Sequence, residues 1–241
     1  MMMFWRGGSH AKLSQLHKEL FSSMQKTILL TGFEPFNREQ INPAWEAVQA
    51  LDGWHTDGCT VRSMMLPCVF GQAGKVLATA IAEHAPGVVI AVGQAGGRAE
   101  LSIERVAINV DDAPIPDNAR NQPVDCAIVA GGPAAYFSTL PIKAIAQAVR
   151  GAGIPAAVSQ SAGTFVCNHV FYALMHQLAQ PLAPTGARGG FIHVPYLPQQ
   201  AAAHPGQPSM ALPDIVEGLR IAIRLSAAGH ADLKVAEGRI D

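Results

Sequence analysis

An α/β layered domain is the fold this sequence predicts, and three observations predict it. From Thr27 onward, short apolar runs alternate with longer segments of helical period, the pattern of strands and helices stacked in layers. The longest aliphatic runs, such as GVVIAVG at 87–93, are strand-sized. At 241 residues the chain is long enough for one sizeable core, so a single domain is expected.

The elements follow in order. Residues 1–24 are Met-rich, then Gly-Gly-Ser, then weakly amphipathic from Leu13 to Phe21; they read as an N-terminal extension outside the core, with the domain proper at 25–241. TILLTG is a first strand, and NPAWEAVQALDG a helix with Pro43 in its first turn. TVRSMMLP is a second strand. In GQAGKVLATAIAEHAPG, Val76, Leu77, Ala80 and Ile81 share one helical face, and Pro86-Gly87 ends the helix. VVIAVG is a buried strand that stops at the glycine-rich turn GQAGGR. AELSIERVAINV alternates as a strand would, and DDAPIPDNARNQPVD is a loop too long for a simple connection, a length that in compact domains usually carries function or disorder. A helix (LPIKAIAQAVRGAG), a strand (PAAVSQS), a helix starting near Cys167, a strand (GGFIHVPY) and a last helix from Leu212 to about Ala227 complete the chain.

Composition narrows the function classes. The chain is 49% hydrophobic and 15% charged with a net charge of -1, which lacks the basic surplus that nucleic acid or an anionic membrane would call for. No apolar run is long enough to cross a bilayer, and the N-terminus lacks the uninterrupted apolar core of a secretory signal, so a cytoplasmic protein with reduced cysteines is expected. Cys59, Cys68, Cys126 and Cys167 form no C-x-x-C pair, and no His spacing matches a zinc site, so no metal is expected. Neither H-E-x-x-H nor a G-x-S-x-G elbow occurs.

Ligands of open α/β sheets bind outside the carboxyl ends of the strands. The segments expected there are GFEPF, GQAGGR, SAGTFVC and the end of FIHVPY. Among them Cys167 stands out. With Thr164 as N-cap it lies in the first turn of a helix, where unpaired N–H groups and the helix dipole lower a thiol pKa and are placed to stabilise an oxyanion. A thiol nucleophile needs a base. His193 ends a strand, whereas His169, two helical positions from Cys167, is turned about 200° away. Glu104, a charged residue in an apolar strand, is a candidate to orient the imidazole, with Asp111, Asp112 and Asp117 as rivals on spacing alone.

Three separated motifs then carry a resemblance: TGFEPF with NP at 31–43, GQAGGR through SIERVAINVDDAPIPDN to NQP at 93–123, and SAGTFVCNHVFY with GFIHVPYLP at 161–198. From about Met24 to the last helix the chain resembles the pyrrolidone-carboxylate peptidases, or pyroglutamyl peptidases I, which are cytosolic cysteine exopeptidases. The resemblance implies Cys167 as nucleophile, His193 as base and Glu104 as the acidic member. It further implies a three-layer α/β/α sandwich around a twisted mixed sheet, frequent assembly into homotetramers, no cofactor, and removal of N-terminal pyroglutamate from peptides. The lactam, small and uncharged, calls for a mostly apolar pocket; Phe33, Phe36 and Phe165 are expected as its aromatic walls and Gln94 as an amide partner. One departure is plain: where many members read DDARIPDN, this sequence has Pro114 in place of the Arg, leaving Arg98 or Arg120 as substitute cations. Two rival readings are a nucleoside phosphorylase, with GQAGGR as phosphate loop, and a catalytically silent binding protein that keeps the pocket.

Overall fold

The computed structural model describes residues 26–229 and 231–238, so the N-terminal extension expected at 1–24 lies outside the described residues. Seven strands form one mixed sheet in the order β2-β3-β1-β4-β9-β5-β8. Its centre is built from the aliphatic runs of the sequence: β1 (Lys26–Phe33), β3 (Cys59–Leu66), β4 (Val88–Gln94) and β9 (Arg188–Val194) lie parallel to one another. Every residue of β4 is buried, as the interior strand of a sheet covered on both faces must be. β5 (Leu101–Glu104) is antiparallel to β9, and β8 (Ala156–Ser159), the edge strand, follows β5. The two-residue β2 (His55–Thr56) closes the other edge.

Helices cover both faces. α1 (Pro43–Gln49), α3 (Ile142–Gly151) and α6 (Leu212–Ala227) pack on one face around Ile90, Val92, Ile192 and Val194. α2 (Gln72–His84) and α4 (Val166–Leu178) pack on the other around Leu29, Val89, Ala91 and Phe191. The strands divide their side chains between these two cores by simple alternation, and each fully buried Leu, Ile or Phe contributes roughly 1.5–3 kcal/mol. This is the three-layer α/β/α sandwich with a mixed sheet.

Local sequence explains the element ends. Asn42 caps α1, its side-chain oxygen accepting the Ala44 N–H at 3.0 Å, with Pro43 at the first helical position. α6 runs from Leu212 to Ala227 as its periodicity predicts. The structure also corrects two expectations and adds three short elements. The segment 99–110 is two strands in different sheets: the chain breaks at Arg105, and β6 (Val106–Ile108) pairs instead with β7 (Ala135–Phe137) in a separate ribbon. The one-turn α5 (Pro198–Ala201), β2 and β7 are too short to carry a period. Finally, β8 runs opposite to β9, so the segment leading to Cys167 leaves its strand in the opposite direction and crosses the face of the sheet before α4 begins.

Candidate active site

The site lies on the α2/α4 face, and a glycine fixes where the sulfur sits. Gly93 and His193 are register partners on β4 and β9. A Cβ on Gly93 would lie 2.8 Å from the Cys167 sulfur and 2.8 Å from the Phe191 ring, closer than real contacts allow, so the sulfur occupies the space that glycine leaves open. Phe191 and His193, two residues apart on β9, share that face, with ring centroids 4.8 Å apart. The Cys167 sulfur, carried by α4, and the His193 ring therefore lie on the same face of β4 and β9.

Glu104 joins them diagonally. Its strand neighbour two back, Ser102, is the cross-strand partner of His193, and the Glu104 Oε1 to His193 Nδ1 distance is 2.7 Å. A carboxylate only accepts, so Nδ1 carries the ring proton and Nε2 is left as the acceptor. The same Oε1 also accepts from Arg98 Nη1 at 2.7 Å, while Oε2 is buried without a partner. Glu104 itself is fully buried, so the two donors on one oxygen are what offset the cost of its charge. Arg98 donates from Nη2 to the Ser161 carbonyl as well, tying the glycine-rich turn to the segment that enters α4.

The start of α4 differs from expectation. Thr164 does not cap it: its hydroxyl donates to the Asp112 carbonyl at 2.7 Å, and Phe165 occupies the N-cap position with no side-chain bond. Cys167 is thus the second helical residue, still in the first turn, and no side chain competes for the amides there. Asn168 fastens this turn: it accepts from the Ile108 N–H and donates to the carbonyls of Ile108 and Val110. The thiol is not acidified as a first-turn position alone predicts. Burial pushes it up, Cys68 and Glu104 add to that, and Arg98 opposes it. The sulfur rests against Gly93 and the underlying rings although the residue keeps some open surface, and that enclosure outweighs the helix terminus. Cys68 is likewise pushed up to about 12 by burial, with Glu34 and Asp117 contributing.

The rivals to Glu104 have other duties. Asp111 accepts from His169 Nδ1 at 2.8 Å, and His169 Nε2 accepts the Gly71 N–H at 3.0 Å, so both nitrogens of His169 are engaged. Burial alone would raise the Asp117 carboxyl, but the Asn121 side chain and the N–H groups of Phe70, Asn121 and Ala119 hold it below its ordinary value. Asp112 is exposed.

Of the expected aromatic walls, the structure brings Phe36 and Phe165 together at 6.2 Å between centroids. The third ring beside them is Phe70, edge-on to Phe165 at 5.3 Å, which the sequence reading missed; its signal was an aromatic immediately before Gly71, between a strand and a helix start. Phe33 is on the correct face but only 2% exposed and packs 6.4 Å from Phe191, so it is floor rather than wall. Gln94 is a correction. One residue beyond Gly93 on a strand, it must point to the opposite face, where its oxygen accepts from Gln200 at 3.0 Å. Pro114 and Arg120 are exposed on the long loop, whereas Arg98 is committed to Glu104. Among the described residues no cluster of three or more His, Cys, Asp or Glu is arranged to hold a metal ion.

Known proteins resemble this chain over most of its length. The sequence model of the family described as pyroglutamyl peptidase matches residues 26–228. The pyrrolidone-carboxylate peptidase of Cupriavidus necator is 60% identical over 216 residues, covering 89% of this chain and 99% of that protein. The one from Escherichia fergusonii is 59% identical over 88% of this chain and 98% of its own. Among solved structures, pyroglutamyl peptidase I from Bacillus amyloliquefaciens superposes with a TM-score of 0.85 at 47% identity, covering 88% of this chain and all of that one. Pyrrolidone carboxyl peptidase from the hyperthermophile Pyrococcus furiosus gives 0.81 at 42%, with 84% and 98% covered. With a family model spanning most of the domain and relatives this similar over nearly their whole length, the chain belongs to the pyroglutamyl peptidase family of cysteine peptidases.

Proposed function

We propose that Cys167, His193 and Glu104 carry out, as nucleophile, acid–base and orienting group, the reaction of this family: hydrolysis of the amide bond after an N-terminal pyroglutamyl residue. The observation that supports the reading most is the placement of the Cys167 sulfur over Gly93, on the same face as His193, whose Nδ1 is held by Glu104.

The raised thiol sets the order of events. Cys167 rests protonated, and as its sulfur bonds to the substrate carbonyl carbon the proton passes to His193 Nε2. The tetrahedral oxyanion is stabilised by first-turn amides of α4, which have no intrahelical acceptor. His193 then gives its proton to the leaving nitrogen as the C–N bond breaks, leaving a pyroglutamyl thioester on Cys167. A water deprotonated by His193 attacks the thioester; pyroglutamate leaves and the thiol regains its proton. Throughout, Glu104 keeps Nδ1 protonated and favours the imidazolium. Phe36, Phe70 and Phe165 supply the apolar wall for the lactam, over the floor formed by Phe33. No step calls for a cofactor.

Three finer readings join this proposal, drawn from the N-terminal sequence and from the resemblance. Residues 1–24 stand outside a catalytic domain at 25–241; the chain assembles as a homotetramer, which light scattering of the purified protein checks; and it works in the cytoplasm on small peptides. Four free cysteines fit a reducing compartment, and among the described residues no helix is long and apolar enough to cross a membrane.

The test is hydrolysis of a pyroglutamyl chromogenic amide before and after iodoacetamide, with the labelled peptide identified by mass spectrometry. Turnover is expected to disappear in step with alkylation of Cys167. Full alkylation of Cys167 with unchanged turnover would remove the mechanism, and phosphate-dependent turnover of a nucleoside would put the phosphorylase in its place.

A further inference from the structure

We propose that the residue after pyroglutamate, the one released with the new N-terminus, is held in a polar cleft on the β5–β8 side of the site. The inference rests on the roles assigned to Cys167 and His193 above and starts from their order across the sheet. On the α2/α4 face the sulfur stands over β4, His193 stands on β9, and β5 and then β8 follow toward the edge. The aromatic wall of Phe36 and Phe70 lies the other way, in the segments that leave β1 and β3. An acid that protonates a leaving nitrogen must stand on the leaving-group side of the carbon under attack. The line from sulfur to imidazole therefore points the departing chain away from the aromatics and toward β5 and β8.

A cleft of about 240 Å³ opens there. Ser102, the direct cross-strand partner of His193, lines its inner end, and Ala157, the register partner of Ser102 on β8, lines its floor. Ser159, Gln160 and Ser161 form its far wall, and Arg98 stands between the cleft and Glu104. Because β8 is the edge strand, a peptide lying in the cleft can continue into solvent. The lining is hydroxyl, amide, guanidinium and the Glu100 carboxylate, with Ala157 and Val158 as its apolar part. Arg98 spends Nη1 on Glu104 and Ser159 and one N–H of Nη2 on Ser161, which leaves donors for a carbonyl of the departing peptide. The class of leaving group that fits is a peptide main chain whose first side chain is small or polar.

Two occluding variants test this, Ala157→Leu on the floor and Gln160→Trp on the exposed wall; neither touches the reacting groups, and since Gln160 accepts from Arg105 Nε at 2.8 Å, circular dichroism confirms that each variant is folded. Each is assayed on pyroglutamyl amide, whose leaving group is ammonia, and on pyroglutamyl-tryptophan amide. The expected result is a fall of about tenfold or more in kcat/KM for the tryptophan substrate, carried by KM, with pyroglutamyl amide kept within about twofold. Equal losses on both substrates, or no loss on either in a folded variant, would overturn the proposal. The underlying assignment fails separately: Cys167→Ser that still turns over pyroglutamyl amide would sink the nucleophile, whatever the cleft variants do.

Discussion

The molecule holds two buried histidine–carboxylate pairs of nearly the same geometry, and they differ in what faces the second ring nitrogen. His193 and Glu104 meet at 2.7 Å, His169 and Asp111 at 2.8 Å, and in both pairs the second carboxylate oxygen is buried without a partner. Around His169 the backbone closes: Gly71 donates to Nε2, so the imidazole is a clamp between the long loop and the start of α2. Around His193 no hydrogen bond among the described residues takes Nε2, and Arg98 adds a positive charge to the carboxylate that Asp111 does not have. The two pairs thus differ in one respect: Nε2 of His193 is left open on the face that carries the Cys167 sulfur.

The largest expected break in this comparison is at the sulfur. Cys167→Ala should lower kcat by at least about 10⁴, while folding is kept, as near-ultraviolet circular dichroism and stopped assays would show together. Glu104→Gln should follow with a loss of about 10²–10⁴ in kcat, since it leaves the ring able to take the wrong tautomer. The same change at the other pair, Asp111→Asn, should leave kcat of the same order, and equal losses at both positions would erase the distinction. Gly93→Ala sharpens the picture from below the sulfur. The added methyl needs the space 2.8 Å from Cys167, and displacing a nucleophile by about 1 Å costs on the order of 10² in rate, read as kcat against an unchanged fold.

The pH dependence of alkylation separates a buried thiol from a resting ion pair. Burial holds Cys167 protonated, so the thiolate fraction, and with it the rate of iodoacetamide labelling at that peptide, should climb about tenfold per pH unit from 7 to 9 without levelling. A plateau above pH 7 would mean the thiol is already ionised. The smallest effect belongs to the clamp. His169→Ala strands the Gly71 N–H and the Asp111 carboxylate and should cost about 1–3 kcal/mol of stability, measured by urea unfolding, with kcat little changed.

Much of this could be read from the chain because the centre of the sheet is made of uninterrupted aliphatic runs. TILLTG, VVIAVG and FIHV admit few other structures, and the segments after them had to carry the unusual residues. The direction of β5 and β8 could not be read, since parallel and antiparallel neighbours bury the same kinds of side chain. Without that direction, the route by which Ser161–Phe165 brings Cys167 over β4 stays hidden. The enclosure of the thiol was hidden for the same reason: a helix start is local, but desolvation by Phe191 and the neighbouring layer is not. Gln94 was legible and misread. If Gly93 faces the sulfur, period-two alternation already sends Gln94 to the other core. The partner of Arg98 needed coordinates, because Glu104 lies six positions further along turn and strand without a helical register to align them.

In the proposed reaction the carbonyl carbon of pyroglutamate becomes bonded to the sulfur of Cys167. Acid quenching of the enzyme during turnover of a pyroglutamyl ester, followed by peptide mapping, tests it most directly. One pyroglutamyl group on the peptide containing Cys167, and none there when Cys167→Ala is treated in the same way, is the result this account predicts. The group recovered on another residue, or sustained turnover by the Cys167→Ala protein, would contradict it.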